Sequence, residues 1–61
     1  MRIVVAEDLY LLRDGMVRLV EAYGHQVVAT ATTGPETLGA LLTSRPDVAI
    51  VDVRLPPTQS D

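Results

Sequence analysis

The 61 residues are 48 % apolar and include no cysteine, a composition that fits a globular chain and excludes both a disordered tail and a disulfide-stapled scaffold. Eight acidic residues against five arginines give a net charge of −3, and Arg2, Arg13, Arg18, Arg45 and Arg54 are scattered, which argues against a nucleic-acid surface of clustered cations. Nothing is long enough to span a bilayer and no signal-peptide pattern opens the chain, so a reducing, cytoplasmic setting is expected.

Residues 2 to 6, Arg-Ile-Val-Val-Ala, form a short apolar run that stops at Glu7-Asp8. Continuous rather than alternating apolar character predicts a strand covered on both faces. From Tyr10 to Tyr23 the period changes: Leu12, Met16, Leu19, Val20 and Tyr23 share one helical face. Asp8 is the expected N-cap, and Gly24 stands where a helix ends with positive φ. Gly15, inside this helix, costs about 1 kcal/mol against alanine, a cost that close packing on a neighbour would explain. Gln26 to Ala31 reads as a second strand, followed by Thr33-Gly34-Pro35-Glu36, a capping box. Leu38, Leu41 and Leu42 then form a second apolar stripe, and the leucines and methionine of both helices are expected in the core. Ser44-Arg45-Pro46-Asp47 closes this helix, because the residue before a proline avoids the helical region. Val48 to Val51 is a third strand, ending at Asp52, and residues 56 to 61 begin a loop. His25 is expected as an exposed turn residue without chemistry.

The order β-α-β-α-β implies a parallel sheet with right-handed crossovers. If the first strand is central, the ends of strands one and three flank the point where the chain reverses direction, where open α/β sheets bind ligands. Glu7, Asp8 and Asp52 would share that crevice. Like charges crowd unfavourably unless compensated, and an all-oxygen donor set suits Mg²⁺ or Mn²⁺ rather than Zn²⁺. Such an ion can bridge to a phosphoryl oxygen while an aspartate acts as nucleophile. Each carboxylate alone also has a plainer reading: Asp8 as a helix cap, Asp52 as a turn residue. Composition and spacing leave a generic α/β domain open.

Val4-Val5-Ala6-Glu7-Asp8 resembles the first strand and acidic pair of response-regulator receiver domains. Leu12-Arg13-Asp14-Gly15-Met16 with Leu19-Val20-Glu21 resembles the first helix of the subfamily with a LuxR-type helix-turn-helix output domain. The run from Arg45 through Asp52 to Pro57 closely resembles the third strand, phosphoacceptor and following loop. The resemblance implies a doubly wound, flavodoxin-like α/β sheet of strand order 2-1-3, here truncated, with residues 1–61 the N-terminal portion of a receiver domain and 1–55 its ordered part. It implies Asp52 as phosphoacceptor, with Glu7, Asp8, Asp52 and the backbone carbonyl of Arg54 as the metal shell. Pro56 would shape the loop. A sensor histidine kinase is the implied donor, and DNA would be reached only through an output domain outside this chain. The Glu-Asp pair replaces the commoner Asp-Asp. The family's phosphoryl-sensing Ser or Thr, its pairing Lys and its switch aromatic have no counterpart in these residues. Weak or absent phosphorylation is therefore expected, and the isolated 61 residues are expected to be unfolded, oligomeric or strand-swapped, or else the ordered part of something longer.

The implied function is phosphoacceptor signalling rather than enzymatic turnover. An aspartate-nucleophile phosphatase would resemble Asp-x-Asp after the first strand, whereas Asp52-Val53-Arg54 follows the third. A nucleotide-binding domain would need a glycine-rich loop after the first strand, and none is there. The stronger rival is a non-phosphorylated interaction or dimerisation fragment, whose dimer would form equally well without Mg²⁺ or phosphodonor.

Overall fold

The computed structural model describes residues 1–57. Five elements follow in order: β1 (Arg2–Ala6), α1 (Tyr10–Ala22), β2 (Gln26–Ala31), α2 (Gly34–Ser44) and β3 (Val48–Val51). The expected loop residues 58–61 lie outside the described residues.

The three strands form one parallel sheet of order β2-β1-β3. β1 is central, pairs along both edges and is packed by α1 and α2; Ile3, Val4, Val5 and Ala6 are all buried. Here the continuous apolar run meets the environment it implies. The β1–β2 register slips between Ile3 and Val4, which pair with Val27 and Ala29, leaving Val28 as an extra residue in β2. At the start of β1, Arg2 and Asp47 lock the β3 side: Arg2 N–H donates to Asp47 Oδ2 at 2.8 Å and Asp47 N–H to the Arg2 carbonyl at 2.8 Å. The chain steps from β1 to β2 on one side and from β2 back across to β3 on the other. Right-handed crossovers in opposite directions put α1 and α2 on opposite faces.

Both helix ends follow local chemistry. Gly24 closes α1 at φ 89°, accessible to glycine without cost. Arg45 closes α2 in the left-handed region at φ 49°, immediately before Pro46, and its N–H donates to the Leu41 carbonyl.

The helix stripes correct the expected core. No residue of α1 is fully buried, and in α2 only Thr37 is. The half-buried residues of α1 are Arg13, Asp14, Met16, Val17 and Val20; Leu12, Leu19 and Tyr23 are exposed. In α2 the inward positions are Thr37, Ala40, Leu41 and Ser44, with Leu38 and Leu42 exposed. A single helix on each face of a three-stranded sheet buries only the narrow strip that touches the strands. Its flanks meet no neighbour among the described residues. Gly15 also departs from expectation: a Cβ there would meet nothing within 4 Å, so no close approach accounts for it. His25 is half-buried, with Nδ1 3.1 Å from the Met1 nitrogen.

Candidate metal and phosphoryl site

Parallel strands bring all their C-terminal ends to one edge, and β1 and β3 are neighbours there. Pairing continues past both strands: Asp52 N–H donates to the Ala6 carbonyl at 3.0 Å, and Glu7 N–H to the Ala31 carbonyl at 2.9 Å. Backbone hydrogen bonds therefore set Glu7 and Asp52 down side by side. Glu7, Asp8 and Asp52 each offer a carboxylate oxygen, and these three atoms lie within 4.8 Å of one another. Asp8 and Asp52 line an open cleft of about 280 Å³ together with Leu9 and Arg54.

The three carboxylates sit in different surroundings. Glu7 is buried at 3 % exposure, and its Oε2 accepts the Leu9 N–H at 3.1 Å. Asp8 is exposed and Asp52 half-buried. Asp52 Oδ1 accepts the Arg54 N–H at 3.0 Å, and its carbonyl accepts the Leu55 N–H at 3.2 Å. This is an Asx turn, which fixes the carboxylate against its own backbone. Its second oxygen has no hydrogen-bond partner among the described residues.

The capping of α1 corrects the sequence reading. Leu9, not Asp8, is the N-cap, and no side chain caps the helix. Asp8 lies one residue too early, with its carboxylate in the acidic cluster instead. Glu7 serves the Leu9 amide that precedes the first turn. Arg13, one of the scattered arginines of the sequence, has a role here: its Nη1 donates to the Glu7 carbonyl at 2.9 Å and its guanidinium lies 5.7 Å from the Tyr10 ring centroid. Its position one turn into α1, four residues after the N-cap, is the signal that it can reach back over the acidic turn.

Hard oxygen donors in this number and spacing match the preference of Mg²⁺ for carboxylates and water. This acidic cluster is of the type that binds Mg²⁺ in receiver domains.

The family model described as response regulator receiver domain matches residues 3–59. The oxygen regulatory protein NreC of Staphylococcus epidermidis is 39 % identical over 61 residues, covering 98 % of this chain and 28 % of that protein. The response regulator GacA of Pseudomonas viridiflava is 39 % identical over 56 residues, 90 % of this chain and 26 % of its own length. A protein-glutamate methylesterase/protein-glutamine glutaminase of Haloarcula marismortui is 38 % identical over 55 residues, again 90 % of this chain but 15 % of that protein. The chain thus spans little more than a quarter of the first two relatives, and the three carry different names over the same shared segment. The chain belongs to the response regulator receiver domain family, whose members accept a phosphoryl group rather than turn over a metabolite.

Proposed function

We propose that Asp52 is the phosphoacceptor, that Glu7, Asp8, Asp52 and the Arg54 carbonyl form the shell for Mg²⁺ or Mn²⁺, and that Pro56 shapes the adjoining loop. The observation that carries this reading is the convergence of three carboxylate oxygens within 4.8 Å at the C-terminal edge of the sheet. When bound, the divalent ion supplies positive charge to the phosphoryl oxygens and to the crowded carboxylates. The chain's own groups do the rest. The Arg54 amide holds Asp52 Oδ1, which leaves the second carboxylate oxygen to attack phosphorus in line with the departing group. The product is an acyl phosphate on Asp52, and the donor's leaving group takes the electron pair of the broken bond.

The donor is a sensor histidine kinase, in a cytoplasmic two-component system. The names of two relatives, an oxygen regulatory protein and a response regulator, support a regulatory role. The likeness of residues 12–16 and 19–21 to the LuxR-type subfamily supports a transcriptional output, with a helix-turn-helix as the DNA-contacting part of a longer protein.

A Mg²⁺ titration followed by amide NMR, with and without beryllofluoride, tests the site. Saturable shifts are expected at Glu7, Asp8, Asp52 and Arg54, lost in Asp52→Asn. A spectrum indifferent to metal would sink the assignment.

A second reading, an interaction or dimerisation fragment, draws on the exposed apolar side chains of the edge strand and helices, Val51 and Leu42 among them. Its mark is self-association that ignores Mg²⁺ and phosphodonor alike.

A further inference from the structure

The first-turn amides of α2 can be accounted for one by one. Pro35 has none. Glu36 N–H donates to Thr33 Oγ1 at 3.2 Å, and Thr37 N–H to the Thr33 carbonyl at 3.0 Å. The Gly34 amide alone leaves the helix: it donates at 3.0 Å to the carbonyl of Pro56, in the loop that follows the acceptor strand.

That loop is held at two points. At its start Asp52 N–H is tied to Ala6 of the central strand, and at its end the Pro56 carbonyl is tied to Gly34. Between them lie Val53, Arg54 and Leu55, whose amides at 54 and 55 make the turn that orients the Asp52 carboxylate. The donor end is rigid for reasons independent of the loop. Thr33 caps the helix, Thr37 Oγ1 donates to the Thr33 carbonyl at 2.8 Å, and both threonines are buried. Glu36 Oε1 accepts both the N–H and the hydroxyl of Thr32 at 2.8 Å, pinning the approach to the helix.

We infer that the Gly34 amide is a positioning group for the acceptor site: by holding the Pro56 carbonyl it fixes the far end of the 52–56 turn, and with it the Asp52 carboxylate and the Arg54 backbone. The inference rests on Asp52 being the acceptor. It assigns to the start of α2 a role that neither the acidic cluster nor the family match contains.

The geometry permits a narrow test. Gly34→Pro removes the N–H and places ring carbons where it pointed. Proline is well suited to the first helical position, and Thr33, at φ −136° and ψ 165°, already has the extended backbone that a residue before proline needs. Gly34→Ala keeps the N–H, its Cβ meets nothing within 4 Å, and it shares with the proline variant the cost of a Cβ before Pro35, so the two differ in the N–H and in the ring that replaces it. In the metal-free chain, hydrogen exchange at the Arg54 and Leu55 amides should speed up in Gly34→Pro and stay unchanged in Gly34→Ala. Mg²⁺ affinity by NMR titration should fall roughly fivefold in the proline variant only, the scale of one ordinary hydrogen bond. Circular dichroism with an unchanged helix signal shows that the proline variant folds; an unfolded Gly34→Pro with Gly34→Ala unaffected moves the same comparison to Gly34→Ala against an ester substituted for the Gly34 amide by synthesis. A normal Mg²⁺ response left intact when the N–H is gone overturns the tether alone. Equal losses in the alanine variant also overturn it. No Mg²⁺ response in the unsubstituted chain overturns the acceptor assignment first, and the positioning role with it.

Discussion

In a standard capping box the residue at N3 reaches back to the N-cap amide. Glu36 donates its own amide to Thr33 as that motif requires, but its carboxylate takes the amide and hydroxyl of Thr32, one residue earlier. Those bonds hold its pKa below the ordinary glutamate value, with the Thr32 N–H the largest cause and the Thr32 hydroxyl next. A carboxylate with a depressed folded pKa contributes stability above its unfolded pKa and loses it as pH falls through the folded value. The unsubstituted chain should therefore lose part of its stability below about pH 4, and Glu36→Gln should flatten that acid limb while being less stable at neutral pH. Denaturant midpoints of the two chains at neutral pH and at about pH 3 check this, and parallel curves would refute it.

At the scale of the elements, α1 is helical by pattern and by its glycine stop more than by its contents. It has no side-chain cap, no fully buried residue and a glycine at its sixth position. It does carry one favourable pair, half-buried Asp14 with exposed Arg18 four residues on, at 2.9 Å. Nothing occupies the space a Cβ would take at Gly15, so the glycine weakens the helix without a packing gain. Gly15→Ala should raise the stability of the chain by about 1 kcal/mol, read as a shift of the denaturant midpoint with an unchanged slope. A lower midpoint would mean that this position serves a contact outside the described residues. The corresponding feature of α2 is its left-handed exit at Arg45, whose carbonyl accepts Arg2 Nη1 at 3.1 Å and so fastens the helix end to β1.

For the whole molecule, stability rests on very few side chains. Among the described residues the buried apolar side chains are Ile3, Val4, Val5, Ala6 and Ala31, four of them from the central strand. A chain of about 60 residues buries only about 60 % of the surface its unfolded form exposes, which leaves a small margin. Val5→Ala, at a site with no solvent exposure, should cost about 2 kcal/mol and threaten folding outright. Leu42→Ala, at a site 70 % exposed, should cost no more than about 0.5 kcal/mol. Thermal or urea melts of the two variants separate these outcomes. Equal costs would show that Leu42 is covered by a second copy or another partner in solution.

The sequence by itself determined the elements and their order. The strand at 48–51 follows from an apolar run bounded by Asp47 and Asp52, the strand at 26–31 from a short run between Gly24 and the Thr33 cap, and the helix ends from Gly24 and from Arg45 before Pro46. The acidic site was legible too, because a parallel sheet carries the residues after β1 and β3 to one edge whatever the packing around it. Only the tertiary structure decided which helical residues face the sheet. Apolar side chains cover a wide arc of α1, and the strip that touches strands, Arg13-Met16-Val17-Val20, is chosen by the crossover geometry rather than by hydrophobicity. It also decided that Glu7 is the buried member of the acidic pair while Asp8 is left to the cleft, a division set by how far each lies beyond the last β1 pairing. The bond from Gly34 to Pro56 belongs to the same class: two backbone groups far apart in the chain, with no side-chain signal to announce them, meet because β2 and β3 flank the same central strand.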